Sequence, residues 1–354
     1  MVVVTGATGH LGGVLVRELL KSGEQVRIIT RAQSDLAGMT GLPVEVYACG
    51  LTDGPQLRQA FAGASVVYHA AARISLGAND EEALDLVNVQ GTQAVIDAAR
   101  ATGVGRLVHV GSIEAFPLTE RRFPVTESQG VDPEHTVMEY GRSKARSTQI
   151  VLEAVQNGLD AVVACPTSFI GPPDFRLSPM GRMIYDFARR RLPAYVSGGF
   201  DFADVRDIAH GVVLAGQKGR RGECYLLSGD YLSIPELMDL LEQLSGVRKP
   251  LLCFPTALLM PLMPLVELYY RVAGKPPRFT RNSLHILSLE ATVDSSKAQR
   301  ELGYSARPLA CTVRDLLRWY YDTGILKAPD LPTDATEPGV CPEESEAQAT
   351  TQTE

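Results

Sequence analysis

The opening stretch Met1-Val2-Val3-Val4-Thr5-Gly6-Ala7-Thr8-Gly9-His10-Leu11-Gly12-Gly13 decides the fold. Val2–Thr5 is an apolar run of strand length, and residues 12–22 (GGVLVRELLKS) carry Val14, Leu15, Leu19 and Leu20 at helical spacing. Three glycines lie between or at the edges of these two segments, which is the context that binding a dinucleotide pyrophosphate requires. Gly6 permits the tight turn, Gly9 lets the backbone approach the phosphates, and Gly12 lets helix and strand pack closely. The helix N-terminus then presents unpaired N–H groups and a positive dipole end, so Thr8, His10 and Leu11 join the three glycines as candidate cofactor-binding residues.

Working outward, short apolar runs alternate with helical patterns. Strand-like segments fall at 25–30, 44–48, 65–69, 106–110 and 161–165. Helical ones fall at 56–61, 84–101 and 140–155. Repeated strand–helix–strand units with right-handed crossovers predict an α/β protein built on a Rossmann-type doubly wound parallel sheet. After Pro166 the pattern loosens. Helices are expected at 179–190, 233–245, 256–272, 281–287, 295–302 and 311–323, with a return to the sheet at 223–228. The expected division is a dinucleotide-binding domain over 1–165 with a return segment at about 204–230. A smaller, mostly helical C-terminal substrate lobe covers 166–203 and 231–326. The segment 327–354 is rich in Pro, Thr, Glu and Gln and is expected to be a disordered tail.

Composition narrows the function. The chain has 354 residues and a formal net charge of −7, which argues against a general nucleic-acid binder. Its one basic run, Arg189-Arg190-Arg191, reads as a solvated helix end. The six cysteines show no CxxC pair and no histidine at ligand spacing, so no metal site and a reduced compartment are expected. Because the chain begins directly with an apolar strand, a cytoplasmic protein is expected. Residues 251–270 (LLCFPTALLMPLMPLVELYY) are nearly long enough to span a bilayer, but three prolines interrupt them. A buried or substrate-facing helix pair is the favoured reading, with contact at a membrane surface as the alternative.

Two further clusters carry chemistry. NAD-selective loops place a carboxylate at the end of the second strand. Here that place is held by Thr30-Arg31, and Arg31 suits a 2′-phosphate through its planar fork. NADP(H) is therefore favoured, with NAD(H) as the alternative. In Tyr140-Gly141-Arg142-Ser143-Lys144, residues four apart share a helix face, and an ammonium near a phenol is expected to lower its pKa from about 10.

Together these residues resemble an extended short-chain dehydrogenase/reductase of the NAD-dependent epimerase/dehydratase superfamily, over roughly residues 1–325. The likeness is closest to the dihydroflavonol reductase and 3β-hydroxysteroid dehydrogenase branch. It is carried by the glycine spacing, His69-Ala70-Ala71-Ala72, Asn88-Val89-Gln90-Gly91-Thr92, Gly111-Ser112-Ile113-Glu114-Ala115, residues 166–172 (PTSFIGP) and Val205-Arg206-Asp207-Ile208-Ala209. The resemblance implies that Ser112, Tyr140 and Lys144 are catalytic. Tyr140 would act as the proton donor in reduction, Lys144 would hold the nicotinamide ribose, and Ser112 would bond the substrate oxygen. It implies cofactor contacts at Leu51, Ala70, Ala71, Ala72, Pro166, Thr167 and Ser168. Asn88 joins them, with backbone fixing as its other reading. A homodimer is implied as well. Three departures stand out: Gly50 replaces the acidic residue that many relatives have before Leu51, Gly111 takes the first of two hydroxyl positions after the fifth strand, and Arg31 takes the place of an acidic selector.

The small-molecule substrate is expected between sheet and lobe, lined by Arg73, Ile74, Glu114, Phe169 and Phe200. The apolar 258–266 region would act as a lid over a bulky sterol, terpenoid, polyketide or acyl-like molecule, or else fill the core. Arg73 reads equally as an anion contact or a structural ion pair. The first function expected is a ketone reductase/alcohol dehydrogenase. The alternatives are a nucleotide-sugar epimerase/dehydratase using Arg176, Arg182 and Arg278, and a non-enzymatic dinucleotide sensor.

Overall fold

The computed structural model describes residues 1–74, 80–118, 123–136, 138–266 and 281–327. The expected tail beyond residue 327, the end of the expected 256–272 helix, Arg278 and Cys341 lie outside the described residues.

Seven parallel strands form the central sheet. They are β1 (Val2–Thr5), β2 (Val26–Thr30), β3 (Val44–Ala48), β4 (Val66–His69), β5 (Arg106–Val110), β6 (Ala161–Pro166) and β10 (Cys224–Leu227), in the order β10-β6-β5-β4-β1-β2-β3. Seen from β1 the chain moves outward through β2 and β3, then returns to the other side of β1 with β4. That reversal opens a crevice at the carboxyl ends of β1 and β4, where ligands bind in such sheets.

Both faces are covered, which is why the inner strands are apolar without alternation. Helices α1 (His10–Lys21) and α7 (Val205–Lys218) cover one face through Val14, Leu15, Leu19, Ile208 and Val212. Helices α2 (Gly54–Phe61), α4 (Gly91–Thr102) and α5 (Glu139–Gln156) cover the other through Leu57, Phe61, Val95, Ile96 and Val151.

Where a single helix was expected over 84–101, the chain runs as a short α3 (Glu81–Leu84), a π-helical turn (Asp85–Gln90) and then α4. The extra residue in that turn rotates Asn88 away from the ordinary 3.6-residue face and buries it. A helical period cannot show such a bulge in advance.

After Pro166 the chain builds a third apolar cluster around Phe187, Leu237, Leu241, Leu316 and Tyr320. Its helices include α6 (Pro179–Ala188), α8 (Ile234–Ser245), α9 (Thr256–Leu259) and the helices Arg281–Leu289 and Leu309–Asp322, whereas the helix Ser296–Leu302 packs on α7 and β10 through Ala298 and Leu302. It also holds strands the helical reading missed. Strands β7 (Ser168–Ile170), β9 (Gly199–Asp204) and β11 (Asp230–Ser233) form one small sheet, and β8 (Tyr195–Val196) pairs with β12 (Cys253–Phe254). β7, β8 and β12 have only two or three residues, too few to show a period. The long helix expected from Thr256 gives way at Met260–Leu262 to a tighter 3₁₀ turn, where Pro261 removes a backbone donor. Cys49, Cys165, Cys224 and Cys253 are free thiols. Among the described residues no helix is long and apolar enough to cross a membrane.

Candidate active site

The glycine turn is held by sterics that only glycine satisfies. Gly6 has φ +75°, and a Cβ there would sit 2.5 Å from the Ala71 nitrogen. A Cβ on Gly12 would collide with the Gly6 carbonyl oxygen. The backbone of Gly9 closes the turn by donating to Gly6 O at 2.9 Å. Helix α1 starts at this point without a side-chain cap and without an acidic residue in its first turn, so its first N–H groups and dipole end are left for an anion. A cleft opens here, lined in part by Thr8, Gly9, His10, Asp35, Pro173 and Arg176. These features fit a dinucleotide pyrophosphate. His10 faces across the crevice, its Nε2 2.8 Å from Gly171 O and its ring 5.7 Å from that of Phe169.

A buried polar chain ties β1 to β4. The Thr92 hydroxyl donates to Asn88 O at 2.6 Å, so His69 Nε2 is the donor to Thr92 Oγ1 at 3.0 Å. His69 Nδ1 then accepts from the Thr5 hydroxyl at 2.7 Å, and Thr5 Oγ1 accepts from the Ala71 N–H at 3.3 Å. The loop Ala70–Ala72 is thus pinned against the glycine turn. Burial pushes His69 down to about 3, with the Lys144 ammonium adding to the effect, and the ring stays neutral. Asn88 Oδ1 accepts from the Arg73 N–H at 2.8 Å, and its amide donates to Arg73 O at 3.0 Å and to Ser143 Oγ at 2.9 Å. Two of these bonds fix the Arg73 backbone and the third reaches the Ser143 side chain on α5.

Ser112 follows β5 and caps a short turn by accepting from the Glu114 N–H at 3.2 Å. Helix α5 approaches this turn so closely that a Cβ on Gly141 would lie 2.6 Å from Glu114 O. Gly141, Ser143, Ala145, Ser147 and Thr148 form the small inward face that allows the approach. It brings Tyr140 beside Ser112 and Glu114. Lys144 is buried and donates to Val110 O at 2.6 Å, and burial lowers it to about 8.

The electrostatics correct one expectation. Burial, and then the Glu114 carboxyl, raise the Tyr140 pKa above its usual value. Only the Ser112 hydroxyl pulls it down, and Lys144 is not among the groups that shift it. The ammonium that was expected to lower it directs one N–H to Val110 O. Glu114 itself is pushed up to about 7 by burial, and its Oε2 has no hydrogen-bond partner. Sequence reading placed Glu114 as lining only. Its signal was a carboxylate among Ile113, Ala115 and Phe116, where water is excluded.

The remaining candidates divide. Thr167 is buried and donates to Asp201 O at 2.7 Å, beside Pro166 and Ser168 at the end of β6. Leu51 packs on the helix face at Gly91. Arg31 is exposed at the end of β2. Arg73 forms an ion pair with Asp80 at 3.1 Å, and Ile74 is exposed. Phe200 packs edge-on to Phe202 at 5.9 Å. In the 258–266 region Met263 is buried while Leu258, Leu262 and Leu265 are exposed.

A parallel sheet reversing direction at β1, with a glycine turn and a bare helix N-terminus at that point, defines a dinucleotide-binding α/β protein. The NAD dependent epimerase/dehydratase family matches residues 2–228, and the chain belongs to that family. It is 38% identical to sterol demethylase protein B of Methylococcus capsulatus, over 92% of this chain and 99% of that one. It is 33% identical to a putative dihydroflavonol 4-reductase of Synechocystis, over 92% and 95%. Among solved structures, that of the protein gox2253 superposes with a TM-score of 0.82 at 32% identity, over 92% and 99%. The chain is thus an enzyme of the extended short-chain dehydrogenase/reductase type, with relatives named as oxidoreductases.

Proposed function

We propose that this enzyme interconverts a ketone and a secondary alcohol on a bulky apolar substrate, using NADP(H) and the residues Ser112, Tyr140 and Lys144. The observation that carries the reading is the meeting of the Ser112 turn and the Tyr140–Lys144 face of α5 at the carboxyl edge of the sheet, beside the glycine turn. The bound dinucleotide supplies or accepts the hydride. Ser112 holds the substrate oxygen with a hydrogen bond that strengthens as negative charge gathers there. Tyr140, whose proton is held firmly, gives it up only to that developing oxyanion, which suits the acid in a reduction. Lys144 places one N–H on Val110 O and has two more for the ribose hydroxyls. Residues 1–165 and 204–230 hold the dinucleotide, and residues 166–203 and 231–326 cover the substrate.

Similarity to a protein named for sterol demethylation supports a sterol-like skeleton. The nucleotide-sugar reading loses support from two of its three arginines, because Arg176 donates to Asp35 O at 2.9 Å and Arg182 lies over the Tyr185 ring. A non-enzymatic sensor would have no use for a proton donor beside Ser112.

Tyr140→Phe tests the chemistry. The variant should bind NADPH within about twofold of the parent and lose turnover by a factor on the order of 10³ or more. Undiminished turnover would remove Tyr140 as the acid. The substrate class is read by following NADPH absorbance with a panel of apolar ketones and nucleotide sugars. Oxidation stoichiometric with a ketone is expected, and turnover of a nucleotide sugar with no net cofactor consumption would overturn the reading. Arg31 is tested by fluorescence titration. NADPH should bind about tenfold more tightly than NADH through the extra phosphate pair, and Arg31→Ala should erase the difference; tighter NADH binding would refute the preference.

A further inference from the structure

The segment 250–266 (PLLCFPTALLMPLMPLV) holds no ionisable Asp, Glu, Lys, Arg or His. Around α9 and the turn after it, Met263 lies in the third apolar cluster, with Leu259, Met260 and Val266 packed against it, and Thr256 is buried. Leu258, Leu262 and Leu265, four and then three residues apart, form the opposite face and are 66%, 49% and 66% exposed. Leu251 at 99%, Leu252 and Phe254, at and just before β12 and a few residues ahead of α9 in sequence, are exposed as well. Single exposed leucines need no explanation, but six large apolar side chains within 15 consecutive residues make a patch that water penalises. Packing against the core does not require them, because the inward face already supplies that contact.

The sequence next to the patch is basic: residues 248–281 carry Arg248, Lys249, Arg271, Lys275, Arg278 and Arg281 against Glu267 alone, a net of +5 in a chain of net −7. Of these, Arg248, Lys249 and Arg281 fall within the described residues, and Lys249 is paired with Asp239. Arg248 and Arg281 are exposed, and the helix that begins at Arg281 packs against α9 and the turn after it. An apolar face rimmed by basic residues matches a surface that is apolar below and anionic above, as the headgroup and acyl boundary of a bilayer is. A second copy of this chain fits less well, since a two-fold interface would set one basic rim against the other.

We propose that the 250–266 face docks this enzyme on anionic lipid membranes, with the leucines inserted at the acyl boundary and the basic rim at the headgroups. This is a peripheral attachment, and it does not depend on the substrate assigned above. Cosedimentation of the full chain with vesicles tests it. The protein should bind phosphatidylcholine vesicles containing phosphatidylglycerol, bind pure phosphatidylcholine vesicles more weakly, and be displaced in part by high salt as the headgroup attraction is screened. Leu258→Ser/Leu262→Ser/Leu265→Ser, with an unchanged thermal midpoint because the positions are exposed, should bind at least about tenfold more weakly. Should that variant fold poorly, Arg248→Glu/Arg281→Glu leaves the apolar face intact and should lose the preference for anionic vesicles. Absence of binding to either vesicle overturns the proposal, as does binding untouched by either variant. A parent that is dimeric by light scattering, with a leucine variant that is monomeric and equally unable to bind vesicles, would assign the face to a second copy.

Discussion

Glu114 is the residue whose chemistry the sequence understated most. Its carboxyl is buried beside Tyr140 with Oε2 unpaired and is pushed up to about 7. In the unfolded chain the same carboxyl ionises near 4.5. Between these two values the unfolded state gives up its proton and the folded state does not. Each step up in pH across that window therefore favours unfolding, and the penalty is fully present above about 7. Glu114→Gln removes the titration while keeping shape and polarity. The variant should gain stability over the parent progressively as pH rises from 4.5 to 7, and the two should converge at the acid end. Thermal midpoints measured on both proteins across that range check this, and parallel curves would show that Glu114 finds water or a partner in solution. His69 acts in the opposite sense in both proteins. Its folded value is depressed, so stability falls as pH drops below 6.5 and the unfolded ring takes up a proton. The comparison cancels that contribution.

At the scale of elements, legibility followed the length of the pattern. Strands β1 to β6 and helix α5 were placed within a residue or two, because a buried parallel sheet writes each strand as a short apolar run between turns. The π-helical turn at Asp85–Gln90 and the two-residue strands β8 and β12 were hidden, since neither carries a period of its own. The site was legible in the same graded way. The glycines, Ser112, Tyr140 and Lys144 stand at fixed places after strands or along one helix face. The Thr5–His69–Thr92 chain joins residues 64 and 23 positions apart and exists only once β1 and β4 lie side by side. Gly141 shows how one residue controls an element. A methyl group there would press on the Glu114 carbonyl and lift α5 from the Ser112 turn. Gly141→Ala should therefore lower kcat by at least about tenfold through misplacement of Tyr140, even though alanine is the better helix former by about 1 kcal/mol. A kcat equal to that of the parent would mean that the turn moves with the helix at little cost.

The whole molecule depends on how the third apolar cluster is fixed to the sheet, and the fixing is ionic. Asp204 is fully buried at the start of α7, where it accepts from the Arg206 N–H at 2.7 Å and is paired with the Arg206 side chain. Arg206 reaches on to Asp315 in the helix Leu309–Asp322 at 2.7 Å. Arg307, just before that helix, holds Asp207 through Nε and Nη2 at 3.0 and 2.7 Å and lies 3.6 Å from Asp204. Two arginines thus bind the final helix to the helix that follows β9, and each carboxylate they meet is mostly withdrawn from water. Replacing a buried pair with apolar groups is often neutral, whereas removing one partner strands the other charge. Arg307→Leu should therefore destabilise the protein by about 3 kcal/mol, while adding Asp207→Asn to it should recover about half of that, because only Asp204 keeps a weakened partner. Denaturant unfolding of the parent, Arg307→Leu, Asp207→Asn and the double variant gives the coupling directly. If the single and double changes add with no interaction term, Arg307 and Asp207 are independent in solution and the lobe is held by its apolar cluster alone.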